Sequence, residues 1–161
     1  MDSLAAFPEK LDLRAYFVGR CQAWGMVMNR AGKVERRFRV EIVGHLQDEA
    51  LLLDESFIFD DGETDHRVWQ IKHRGHTVSG SAADVIGHAG GEITGPFLQW
   101  SYDVALTVRK RKVRVRFDDW MTLADDNVML SRAVIRKFGF RVGDVFIAFK
   151  KLEEPASPPA A

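Results

Sequence analysis

Two carboxylates and two guanidinium groups stand at positions where the surrounding pattern calls for apolar side chains. The clearest is Asp119. Between Lys112 and Leu123 the chain alternates, with Val113, Val115, Phe117 and Met121 on one face and Lys112, Arg114 and Arg116 on the other. This is the period of a strand with one dry and one wet face, and Asp119 falls on the dry face. The same parity puts Glu55 among Leu51, Leu53, Phe57 and Phe59, Arg67 beside Trp69 and Ile71, and Arg132 beside Val128, Leu130 and Val134. A lone buried charge is costly, so acids and bases in an interior must find partners. Arginine suits that task, because its planar fork serves two carboxylates at once.

Such a set suits a structural ion network that fixes strand register. It also suits the polar end of a ligand cavity. There Arg67 and Arg132 would hold an acidic head group, Glu55 and Asp119 would tune the arginines, and Phe57, Trp69, Trp100 and Tyr102 would line the apolar part. A carboxyl whose pKa is raised by burial also suits general acid–base chemistry of an isomerase, cyclase or hydratase kind.

The elements that must position these residues are short strands. Strands are predicted at about 17–29, 34–46, 50–59, 66–73, 76–86, 98–108, 112–123, 128–136 and 145–151. Turns follow from Asn29-Arg30-Ala31-Gly32, Asp60-Asp61-Gly62-Glu63, Arg74-Gly75, Lys110-Arg111 and Asp125-Asp126-Asn127, with a bend over Gly87-His88-Ala89-Gly90-Gly91 and a loop over 138–143. Pro8 to Tyr16 forms one or two helical turns with Pro8 near the first position, laying Leu11, Tyr16 and Phe17 on the barrel. The expectation is therefore all-β: an antiparallel up-and-down meander closed into a barrel of about nine or ten strands, since closure removes exposed edges. One domain is expected over 1–152, and 153–161, rich in proline and alanine, reads as a disordered tail.

Composition narrows the function. The chain has 161 residues, with 23 Lys plus Arg against 23 Asp plus Glu, and no net charge. That balance disfavours nucleic acid as the main partner. A single cysteine, Cys21, excludes an internal disulfide. His45, His66, His73, His76 and His88 fit no zinc spacing, so no metal is expected. The acidic turn at Asp60–Asp65 lacks a calcium loop's full ligand set, no serine sits in a nucleophile elbow, and no cofactor is implied. No apolar run is long enough to span a bilayer, and with no basic leader a cytoplasmic location is expected. Arg109-Lys110-Arg111-Lys112 is a basic hairpin tip, and Trp120 falls on a wet face, packed beneath a loop or anchoring a partner.

Taken together, Phe59-Asp60-Asp61-Gly62-Glu63, Arg67-Val68-Trp69, the run from Gly80-Ser81-Ala82-Ala83-Asp84 to Gly90-Gly91, Phe117-Asp118-Asp119-Trp120-Met121 and Lys137-Phe138-Gly139 resemble an uncharacterised bacterial domain-of-unknown-function family. The resemblance runs from about Phe17 to Lys151. It implies a lipocalin-like, or calycin-like, barrel and no established activity; many members are taken to be lipoproteins. This chain departs from the family pattern in lacking the lipid-attachment cysteine, at Gly95-Pro96 and at Ser131-Arg132. The function expected is non-enzymatic binding of a small apolar molecule or lipid, with a barrel enzyme or an interaction module as alternatives.

Overall fold

The computed structural model describes residues 6–108 and 110–153, with no account of the Val108 side chain. The tail expected from 153 thus falls, apart from its first residue, outside the described residues. Ten strands run in chain order: β1 (Gly19–Asn29), β2 (Val34–Gln47), β3 (Ala50–Phe59), β4 (Thr64–Arg74), β5 (Thr77–Ser81), β6 (Val85–Thr94), β7 (Phe97–Val108), β8 (Arg111–Leu123), β9 (Val128–Lys137) and β10 (Phe140–Lys151). Each pairs antiparallel with its neighbours, and β1 pairs with β10 to close the barrel.

Alternation drives the packing. On β2, Phe38, Val40 and Ile42 are buried while Arg37, Arg39 and Glu41 are exposed. On β7, Leu98, Trp100 and Val104 are buried. One wet and one dry face per strand is what an antiparallel wall around a core requires.

Two regions depart from the sequence reading. The segment expected as one strand over 76–86 breaks at Ala82–Asp84 into β5 and β6, and the glycine run lies inside β6 rather than forming a bend. Small polar residues carry no hydrophobic period there. The register of β6 against β7 also slips between Ile86 and Gly90, a bulge. Gly91 is required at it, because a Cβ would stand 2.0 Å from the Gln99 carbonyl oxygen. The segment expected as a loop over 138–143 is instead a tight turn at Phe138-Gly139, with β10 beginning at Phe140.

One end of the barrel is plugged. Helix α1 (Leu13–Phe17) begins where Asp12 caps it, its carboxylate accepting from the Arg14 and Ala15 amides at 3.0 and 3.2 Å. This places the helix start after Pro8 rather than at it. Leu11, Leu13, Tyr16 and Phe17 are buried in the core. The Leu11 amide donates to the Gly95 carbonyl (2.9 Å), the Tyr16 hydroxyl to the Asn127 carbonyl (3.0 Å) and Lys151 Nζ to the Tyr16 and Val18 carbonyls (2.7 and 2.8 Å). The plug thus crosses the end that carries the β6–β7 and β8–β9 turns. At the other end the inward side chains Val27, Phe59, Leu106, Val113 and Ile135 are only partly buried. Among the described residues nothing plugs that end.

Candidate functional site

Inside the barrel lies a cavity of about 190 Å³, lined by apolar side chains from most strands together with Glu55, Arg67, Trp69, Trp100, Tyr102, Asp119 and Ser131. Phe57 lines it as well. Pleat parity therefore carries seven of the eight residues singled out in the sequence to one internal space.

Asp119 sits on β8 between Trp100 of β7 and Ala133 of β9. It is 9% exposed; Trp100 Nε1 donates to Oδ2 at 3.2 Å and Ser131 Oγ to Oδ1 at 2.8 Å. Burial pushes its carboxyl up to about 6, against the pull of these two donors. Glu55, directly across from Arg67 on β4, has its carboxyl pushed up to about 7. Burial is the main cause; Arg67 and the Trp69 indole oppose it, and the nearby Asp84 and Asp119 add to it.

Arg67 does not serve Glu55 alone. Its Nε donates to Asp84 Oδ1 at 3.1 Å and its Nη2 to Oδ2 at 2.6 Å, a bidentate pair. Burial works against the Arg67 charge, and Asp84, Tyr102 and Glu55 more than offset it. The guanidinium also lies 6.0 Å from the Phe57 ring and 5.7 Å from that of Trp69.

The apolar wall is an aromatic cluster. Trp69 and Trp100 centroids are 4.9 Å apart, Trp69 and Tyr102 5.1 Å, and Tyr102 stacks on Phe117 at 5.4 Å. Gly80 leaves room for both indoles: a Cβ there would meet Trp100 at 2.9 Å and Trp69 at 3.3 Å. Burial holds the Tyr102 hydroxyl well above the usual phenol range, so it is a neutral donor and acceptor.

Arg132 is the exception. It faces outward, half exposed, with Nη2 3.6 Å from Asp144. Met129, Ser131 and Ala133 are the buried, inward residues of β9. The apolar pattern misled because Leu130 lies exposed on the outer wall and Val134 is buried on that same wall. Val134 stands between Asp118 and Asp144 in register, under the arginines that pair with them, Arg136, Arg132 and Arg141. With the parity corrected, Ser131 enters the site, a residue the sequence reading passed over. Asp84 was missed as well; it lies in a turn, where no period marks which way a side chain points.

A wider hollow of about 800 Å³ opens on the outer wall over Trp24, Ile58 and Leu130. It touches none of the interior carboxylates, although Phe38, Phe59, Ser131 and Ile147 line both spaces. Trp120 also stays on the outer face, 44% exposed. Beside the β4–β5 turn, His73 is half-buried and His76 is exposed. No helix among the described residues is long and apolar enough to cross a membrane.

The fold has solved counterparts. A protein of unknown function from the DUF3598 family of Nostoc punctiforme PCC 73102 superposes with a TM-score of 0.66 at 13% identity, over 94% of this chain and 52% of its own. This chain thus spans about half the length of that protein. The S-type phycobiliprotein lyase of Guillardia theta superposes with a TM-score of 0.59 at 8% identity, over 91% of this chain and 95% of its own. At such identities the likeness is one of fold, a calycin-like barrel, and carries no activity with it. The sequence matches none of the curated proteins. Residues 1–151 match the family described as "Protein of unknown function (DUF3833)", and the chain belongs to that family.

Proposed function

We propose that the barrel binds one small, mostly apolar molecule whose polar end donates a hydrogen bond to the cavity carboxyls. The observation that carries this is the cavity itself. It is an internal space of about 190 Å³ walled by indole, phenol and aliphatic groups, with Glu55 and Asp119 at its polar side. Ligand pockets are largely apolar with a few convergent polar groups. The volume lies below the roughly 300–1,000 Å³ of drug-sized sites, so the occupant is about a single ring or a short chain.

The head group follows from charge. With Arg132 outside and Arg67 tied to Asp84, no unpaired cation remains for an acidic head among the described residues that line the cavity. Glu55 and Asp119 instead offer acceptors, charged once the pH passes about 7 and 6. An alcohol or amine is the favoured class. That a neighbour in fold is, by its name, a phycobiliprotein lyase is compatible with this reading, and no more.

The test is a titration of tryptophan fluorescence with an alcohol, an amine and a carboxylate of one chain length, beside native mass spectrometry of protein from its own host. The alcohol and amine are expected to quench Trp69 and Trp100 and the carboxylate to bind at least about tenfold more weakly at pH 8. A silent titration with no retained molecule in the spectrum would refute the reading. A second reading, acid–base catalysis by Glu55, is favoured by one feature: its carboxyl is poised at about 7, near the optimum for proton transfer. It would show as a Glu55→Gln protein that still binds but no longer converts what it binds.

A further inference from the structure

We propose that the unplugged end of the barrel docks on an anionic lipid bilayer through the β9–β10 hairpin tip. The turn Lys137-Phe138-Gly139-Phe140 holds two aromatic rings out into solvent. Phe138 is 89% exposed and Phe140 is 74% exposed. Phe138 has φ of +51° and Gly139 +81°, the left-handed pair of a tight hairpin turn. Asn, Asp and Gly are the residues that fit such a turn; a bulky side chain there is strained. The strain is not repaid by packing, for the ring stands almost wholly in solvent, with the Lys137 ammonium 5.6 Å from its centroid. Elsewhere on this end positive φ falls on Gly32 and Gly62 in the β1–β2 and β3–β4 turns and on Lys110 (+66°) in the β7–β8 turn, so the two bulky residues held in this conformation, Phe138 and Lys110, stand on adjacent hairpins. Strain and apolar area held out into solvent point to a partner.

Charge identifies the partner. The β7–β8 turn lies at the same end, on the adjacent hairpin, and Lys110, Arg111 and Lys112 are exposed there. Since Arg116 stands opposite Arg136, the residues from Arg111 to Val115 run past the last paired residues of β9, on the side of the Phe138 tip. The ion pairs of this region use Arg114, Arg116, Arg136 and Arg141 instead, leaving Lys110, Arg111, Lys112 and Lys137 available among the described residues. Of the acids at this end, Asp60, Asp61 and Glu63 lie nearly half a turn around the barrel and are paired with Arg36 and Arg37, Asp84 is paired with Arg67, and Glu35 and Asp65 are exposed on β2 and β4, away from the β7–β8 and β9–β10 hairpins. Aromatic rings flanked by cations are what a headgroup interface rich in anionic lipid accepts. The docking does not depend on what the cavity holds.

The experiment is co-sedimentation of the full chain with vesicles of phosphatidylcholine alone and of phosphatidylcholine with roughly one third phosphatidylglycerol. The protein is expected to bind the anionic vesicles and to be released by salt, with at least about a tenfold weaker affinity for Phe138→Asn/Phe140→Ser. That variant puts asparagine where a left-handed residue is wanted, so its melting temperature should hold or rise; Phe140→Ser alone serves as a second variant that leaves the turn intact. Failure of the parent to bind anionic vesicles at low salt, equal binding to neutral vesicles, or undiminished binding by both variants would each overturn the proposal. So would light scattering that showed a concentration-dependent dimer dispersed by Phe138→Asn/Phe140→Ser, since the tip would then belong to a second copy of the chain.

Discussion

Glu55 and Asp119 share a cavity but not a situation. Asp119 has two side-chain donors in place, from Trp100 and Ser131, while Glu55 faces a guanidinium already committed to Asp84. The folded pKa of Glu55, about 7, lies above its ordinary 4.5. Between those values the folded protein keeps a proton that the unfolded chain has released. Its contribution to stability is therefore full below about pH 4.5 and lost as the pH rises through about 7. Glu55→Gln cannot ionise and is expected to be more stable than the parent by about 1–3 kcal/mol at pH 8 and no more stable at pH 4, in urea denaturation. An equal effect at both pH values would mean that the Glu55 carboxyl is not desolvated. Both acids were legible because each interrupts a strict alternation of large apolar residues. Arg132 was misread for the same reason turned around: Leu130 and Val134 look like a core face and are not one.

At the scale of elements, the plug depends on one glycine. A Cβ on Gly44 of β2 would stand 1.9 Å from the Phe17 carbonyl oxygen and 3.1 Å from Leu53. The α1 end is backbone, not a flexible side chain, so it cannot yield without moving Leu13 and Phe17 out of the core. Gly44→Ala is expected to cost roughly 2–4 kcal/mol. Gly90→Ala, in the β6 bulge with open space around it, is expected to stay within about 0.5 kcal/mol. Comparable losses for the two would remove the steric account of the seat. The sequence showed β2, β3, β7 and β8 nearly to the residue, because turn residues bound long apolar periods there. It hid the β5–β6 break and with it Asp84, since Thr77 to Ser81 offers little to bury and a bulge resets the pleat without leaving a hydrophobic mark. Cysteine and proline placement could not help, as neither stands at the break.

The whole molecule combines a closed wall, one plugged end and a polar centre, and its ionisable groups pull stability in opposite directions. Asp118 and Asp144, on the outer wall, have their carboxyls held below the usual range. For Asp118 burial is outweighed by Ser101, Arg136 and Arg116; for Asp144 the Arg141 hydrogen bond leads. Such groups add stability that is present above their ordinary pKa and is lost as pH falls through the lowered one. Glu55 and Asp119, raised to about 7 and about 6, do the reverse, and their contribution is lost as pH rises through those values. The two trends meet, so the free energy of unfolding is expected to peak near about pH 4–5 rather than at neutrality. In Glu55→Gln/Asp119→Asn only the acid limb remains, and the curve should run flat from about pH 5 to 8. The two sites are close, so their titrations belong to the pair and the parent's descent should be broad. A parent curve that climbs to pH 7 would mean that the cavity carboxyls are solvated. The donor-seeking pocket inferred from their burial would then lose its basis, while the barrel and its plug would stand unchanged.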